Sequence, residues 1–234
     1  MTTEERIALL ATQAAGLVHE DMRVGLGSGS TAEAVVRALG ERVARGLKFT
    51  GVATSARSAR LAESYGIDLV GLDDVERLDL GIDGADEIDP GLNLVKGRGG
   101  ALLWEKLVAK ACDRFVVVAA SEKLVAQLGT RMPLPVEMVP FGWSHTTRRI
   151  ETLGCEASLR IGSDGITPFR TDESNFVVDC ITGPIVDPAS LDLALKSVTG
   201  VVDHGIFVDI ANQAMTVDPE GDVTVHEPIG GPAT

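Results

Sequence analysis

Residues Val24–Leu39 read VGLGSGSTAEAVVRAL. A short apolar run meets a Gly/Ser/Thr loop, and the loop opens a helix. Ala32, Val35, Val36, Leu39 and Val43 give that helix an apolar stripe. This is the opening of a βα unit, and such a helix start also attracts anions, because its dipole and unpaired amides face the loop. A dinucleotide site would need G-x-G-x-x-G and an acid at the end of the second strand. Here the third glycine position is Ser30, and the second strand ends in VATSARS (52–58), without Asp or Glu. No lysine completes a triphosphate loop either. What remains is a hydroxyl-rich loop, Ser28–Thr31, that suits a smaller phosphate. A capping box between Ser30 and Glu33 would account for the same residues without any ligand.

Outward from that unit, strand and helix signals alternate. Ile7, Leu10, Ala11, Ala14 and Leu17–Val18 mark a first helix, and Met22–Leu26 a strand. LKFTGVAT (47–54), IDLVGL (67–72) and RLDLGID (77–83) read as strands, and SARSARLAESYG (55–66) as a helix closed by Gly66. A helix over about 100–112 leads into the apolar strand FVVVAA (115–120). Such alternation predicts a parallel sheet with helices on both faces. From about Met132 the order becomes strand, helix, strand, strand, helix, strand, the split βαβ arrangement. The last helix has Asp187 or its neighbour as N-cap and Pro188 in its first turn. The chain therefore divides into a first domain, 1–130 with 203–234, and a small α+β domain, 131–202.

The 234 residues carry a net charge of −13 and no Lys/Arg cluster, so the displacement of nucleic-acid counterions has no basic face to work through. No apolar run reaches the roughly 18 residues of a membrane span. The acidic, non-basic start reads as a structured helix rather than a leader. Cys112, Cys155 and Cys180 are odd in number and far apart, which predicts reduced thiols in a cytoplasmic protein. His19, His145, His204 and His226 lack zinc-ligand spacing, so no metal is expected.

Two further stretches carry chemistry. GIDGADEIDP (81–90) places Asp83, Asp86, Glu87 and Asp89 directly after a strand, where ligands bind in open α/β sheets. A solvated turn whose acids accept backbone amides is the plainer alternative. In LVKGRGGALLWEKLVAKAC (94–112), Lys96 precedes a glycine turn into a helix. Glu105 on that helix has Ala101, Leu102, Val108 and Ala109 as its i±3 and i±4 neighbours, while Lys106 and Lys110 form a separate polar face. A carboxylate on an apolar face is desolvated, which moves its pKa toward the range of a general base.

GLGSGSTA (25–32), DGADEID (83–89), KGRGGALLWEK (96–106) and PLPVEMVPF (133–141), in this order and spacing, resemble the type A ribose-5-phosphate isomerase family over nearly the whole chain. The resemblance implies a Rossmann-like domain plus a small ferredoxin-like domain. It implies aldose–ketose isomerisation of ribose 5-phosphate and ribulose 5-phosphate through an enediolate, without cofactor or metal, in a homodimer or homotetramer. By motif, Glu105 would be the base, and Asp83 and Asp86 would handle sugar hydroxyls and ring opening. Lys96 would stabilise the enediolate oxygen. Ser28, Gly29, Ser30, Thr31 and Lys123 would hold the substrate, chiefly its phosphate, with Gly84, Ala85, Gly97, Arg98 and Gly99 lining it. Arg98 and Trp104 depart from the residues common in the family, and Arg6 stands near the position of a missing first-helix lysine. A sugar-phosphate sensor, a deaminase or an acyl-CoA transferase with a glutamate nucleophile are the competing readings.

Overall fold

The computed structural model describes residues 1–228, so the end of the predicted 203–234 range, 229–234, lies outside the described residues. In chain order the strands are β1 Arg23–Leu26, β2 Thr50–Ala53, β3 Asp68–Leu69, β4 Leu80–Asp83, β5 Glu87–Ile88, β6 Leu94–Val95 and β7 Phe115–Ala120. They continue as β8 Leu134–Met138, β9 Glu156–Leu159, β10 Phe176–Ile181, β11 Val201–His204, β12 Ile206–Phe207, β13 Gln213–Val217 and β14 Val223–His226. The helices are α1 Thr3–Ala15, α2 Ser30–Val43, α3 Ala56–Ser64, α4 Leu102–Lys110, α5 Trp143–Glu151 and α6 Pro188–Lys196.

Contacts group the chain into two units. The first comprises Met1–Ala85, Trp104–Lys123 and the described residues from Asp209 on. Its seven-stranded sheet has the order β14-β13-β7-β4-β1-β2-β3. Every neighbouring pair is parallel except the edge pair β13/β14. Strands covered on both faces must be apolar throughout, and Phe115–Ala119 of β7 are all buried. Leu10, Leu26, Val36, Leu39, Ile82, Val116 and Val118 form the core of this unit. A capping box fixes the start of α1: the Glu5 amide donates to Thr2 Oγ1 at 3.2 Å and the Thr2 amide to Glu5 Oε2 at 2.7 Å.

The second unit comprises Asp86–Leu103 and Leu124–Val208. Its four-stranded antiparallel sheet runs β11-β8-β10-β9, the order of the split βαβ arrangement. Val136, Met138, Val178, Ile150 and Leu195 pack as its core. Asp187 caps α6 by accepting the Ser190 amide at 3.0 Å, as the sequence predicts. Residues 86–103, 124–130 and 203–208, which the sequence reading joins to the first domain, group here instead. The reason is a third sheet that periodicity does not reveal: β12, β6 and β5 pair antiparallel, each only two residues long. Glu87 reinforces it by accepting amides of Gly129, Arg131 and Met132 at 2.5, 2.6 and 2.9 Å.

The thiols have distinct environments. Burial, with the Asp113 and Asp83 charges adding to it, pushes the Cys112 thiol up to about 12. A hydrogen bond from Cys180 holds the half-buried Cys155 below its ordinary value and raises Cys180. Since the thiolate is the reacting species, maleimide at neutral pH is expected to label Cys155 first. Cys112 and Cys180 should react only as the chain unfolds. Peptide mass spectrometry over time checks this, and equal rates for Cys112 and Cys155 in folded protein would contradict it.

Candidate active site

In the first unit β7, β4 and β1 lie side by side and parallel, so the loops that follow them share one edge of the sheet. Those loops are Ser28–Thr31 after β1, Asp83–Ala85 at the end of β4, and Ser121–Lys123, a 3₁₀ turn after β7. Asp83 is 1% exposed. Its Oδ1 accepts the Ser28 amide at 3.0 Å and the Gly84 amide at 2.7 Å, tying two of the loops together. The approach requires Gly27, where a Cβ would stand 2.2 Å from Asp83 Oδ1. The first glycines of the motif thus serve close packing of the protein against itself.

Gly29, at φ +85°, is the N-cap of α2, and no described side chain caps that helix. The Ser30–Glu33 capping box does not form. Glu33 instead turns to Arg57, whose Nε lies 2.6 Å from Glu33 Oε1. Ser28 Oγ is engaged by Thr54 Oγ1 at 2.7 Å and Ser55 Oγ at 2.8 Å. Ser28 therefore braces the loop, while Gly29 and Ser30 are exposed. Thr54 and Ser55 carry no signal in the sequence beyond the run of hydroxyls in VATSARS.

Helix α4 leads into the start of β7, which runs toward the carboxyl edge, so α4 runs away from that edge and its first turn lies there. The helix seats on β1 at Gly25, where a Cβ would meet Val108 Cγ1 at 2.6 Å. Glu105, one turn before Val108 and on the same face, is 6% exposed. The expected burial of Glu105 is observed. The polar face assigned to Lys106 is not: Lys106 is 2% exposed, whereas Leu107 is 51% exposed. Arg6 is taken up by Glu122, with Nη1–Oε2 at 3.0 Å and Nη2–Oε1 at 2.5 Å, and this pair holds the Glu122 carboxyl below its usual range. The residue beside Glu122 is Lys123.

In the second unit Asp86 and Lys96–Gly99 form one cluster. The Asp86 amide donates to Val95 O at 2.8 Å, and Asp86 Oδ2 accepts the Arg98 amide at 3.0 Å. Lys96 is 3% exposed, with Nζ 5.7 Å from the centre of the Phe207 ring. Arg98 and Gly99 are exposed. Glu87 and Asp89 have turn-stabilising roles: Asp89 accepts the Asn93 amide at 2.8 Å and its Nδ2 at 2.9 Å. Among the described residues no group of three or more His, Cys, Asp or Glu could hold a metal ion.

A helix start without a side-chain cap, beside the buried Asp83 carboxylate at the carboxyl edge of a parallel sheet, is where α/β enzymes carry their binding sites. Residues 50–221 match the family model of ribose 5-phosphate isomerase A (phosphoriboisomerase A). The chain belongs to this family. It is 53% identical over 213 residues to ribose-5-phosphate isomerase A of Thermomicrobium roseum, covering 91% of this chain and 90% of that one. A D-ribose-5-phosphate isomerase solved in complex with phospho-erythronic acid superposes with a TM-score of 0.94 at 37% identity, over 97% of this chain and 100% of the other. Ribose 5-phosphate isomerase from Plasmodium falciparum gives 0.92 at 35% identity, over 96% and 99%.

Proposed function

We propose that this chain interconverts D-ribose 5-phosphate and D-ribulose 5-phosphate by proton transfer through an enediolate, a step of the non-oxidative pentose phosphate pathway. The observation that carries the reading is Glu105: a carboxylate 6% exposed, on the apolar face of α4, at the edge of the sheet where Asp83 ends β4. A proton alpha to a carbonyl is only weakly acidic, and a desolvated carboxylate is the kind of base that removes it. Glu105 carries the proton between C2 and C1. A positioned base of this type contributes about 10²–10⁴-fold.

Lys96 meets the oxygen that becomes negative, and one such donor is worth about 10²–10³-fold. Asp83 and Asp86 handle the sugar hydroxyls and open the ring. Gly29, Ser30 and Thr31, at the start of α2, and Lys123 take the phosphate, with Ser28 as their brace. Gly84, Ala85, Gly97, Arg98 and Gly99 supply the remaining surface. Binding energy from the remote phosphate orients the reacting carbons.

No helix among the described residues is long and apolar enough to cross a membrane. The partner is a small sugar phosphate, and neither nucleic acid nor a membrane is a partner. The working form is a homodimer or homotetramer in the cytoplasm, in keeping with the free cysteines.

The reading is tested by incubating the protein with ribose 5-phosphate in chelator-treated buffer without cofactor and following the ketose. Turnover that EDTA leaves unchanged is expected. Absence of turnover with any pentose phosphate would favour a sensor, and release of ammonia from an amino-sugar phosphate a deaminase.

A further inference from the structure

Arg160 directly follows β9 and has no part in the chemistry described above. Its Nε donates to Asp179 Oδ2 at 2.9 Å, and its Nη2 donates to Asp179 Oδ1. Its Nη1 donates to two peptide carbonyls, Gly97 O and Arg98 O, both at 3.0 Å. Phe169 lies 5.7 Å from the guanidinium carbon, and Gly100 is packed so closely on that ring that a Cβ would stand 2.4 Å from it. On the upstream side, the Lys96 amide donates to Gly205 O at 2.8 Å.

The segment needs such support. Gly97 and Gly100 have φ of +101° and +80°, so the chain leaves the β6 ladder immediately after Lys96. Glycine-rich backbone has many alternative conformations, and its carbonyls must find donors outside a sheet. An arginine fork offers five donors in one plane, enough to grip a carboxylate with one edge and two carbonyls with another. Asp179, on β10, ties the fork to the four-stranded sheet.

We propose that Arg160 is a positioning residue of the isomerase reaction: braced by Asp179, it fixes the Gly97 and Arg98 peptides and so sets where the Lys96 ammonium stands. The proposal rests on the role given above to Lys96. A displacement of about 1 Å in a catalytic group costs on the order of 10²-fold.

The test measures kcat and KM for ribose 5-phosphate in Arg160→Met, Arg160→Lys and Asp179→Asn, each alone and combined with Lys96→Met. Arg160→Met is expected to lower kcat roughly 10- to 10²-fold with KM within about threefold. Arg160→Lys should recover only part of the loss, because an ammonium cannot span carboxylate and carbonyls together. In the Lys96→Met background Arg160→Met should cost less than about twofold, since its effect passes through the missing lysine. An equal kcat loss in both backgrounds, with Lys96→Met itself impaired, overturns the positioning role alone. Wild-type kcat in Lys96→Met removes the reading of Lys96, and this proposal with it. Should Arg160→Met fail to fold, Asp179→Asn makes the same comparison, because it frees the fork and leaves the arginine in place.

Discussion

Replacing Glu105 by glutamine is expected to lower kcat for ribose 5-phosphate by at least about 10²-fold. The amide has the shape of the carboxylate, so the packing of α4 on β1 survives. What goes is the one group on the apolar face of α4 able to take a proton. The same variant should stop exchange of the substrate C2 hydrogen with solvent deuterium, a readout independent of product formation. The melting temperature should stay close to wild type, separating lost chemistry from lost fold. Glu105→Asp keeps the charge but withdraws it by one methylene, and geometry alone should then cost on the order of 10²-fold. Full activity in Glu105→Gln would remove this residue from the reaction.

Gly27→Ala should disable the protein by a different route. The added Cβ would stand 2.2 Å from Asp83 Oδ1 and 2.6 Å from Asp83 Cα, and the second of these is backbone that no rotamer change can clear. Strand β4 or the Ser28 loop must shift, breaking the bonds from the Ser28 and Gly84 amides to Asp83. Overpacking of this kind costs about 1–3 kcal/mol. For a chain of this size that lowers Tm by roughly 2–12 °C. Activity should fall at least about 10²-fold at temperatures where the variant is still folded, because the carboxylate moves with its strand. Calorimetry and kcat on the same sample check both parts, and a variant with unchanged Tm and kcat would refute the geometry.

Much of this protein can be read along the chain. The α1 and α6 caps are local, four residues wide, and the βα opening at Val24 is signalled by a change from an apolar run to a helical stripe. Glu105 could be singled out because its neighbours at three and four residues are apolar, which is a statement about one helix. The same reasoning failed for Lys106. Helical spacing groups it with Lys110, yet the surroundings of α4 bury it and leave Leu107 outside. The four acids of GIDGADEIDP show the limit as well. Spacing alone placed them together, and only the motif resemblance set Asp83 and Asp86 apart from Glu87, whose oxygens take amides more than forty residues away.

The amino-acid sequence by itself determined the class of fold, the anion-seeking start of α2, the apolar setting of Glu105 and the membership suggested by four motifs in register. These are short-range properties, set by periodicity, capping and turn chemistry within about ten residues. Only the tertiary structure decided that Gly27 makes room for Asp83, that Ser28 leans on Thr54 and Ser55, that Arg6 serves Glu122, and that Arg160 grips the loop after Lys96. Each of these joins residues dozens of positions apart. Chain spacing carries no trace of them, because they arise only when segments far apart in the chain are packed together.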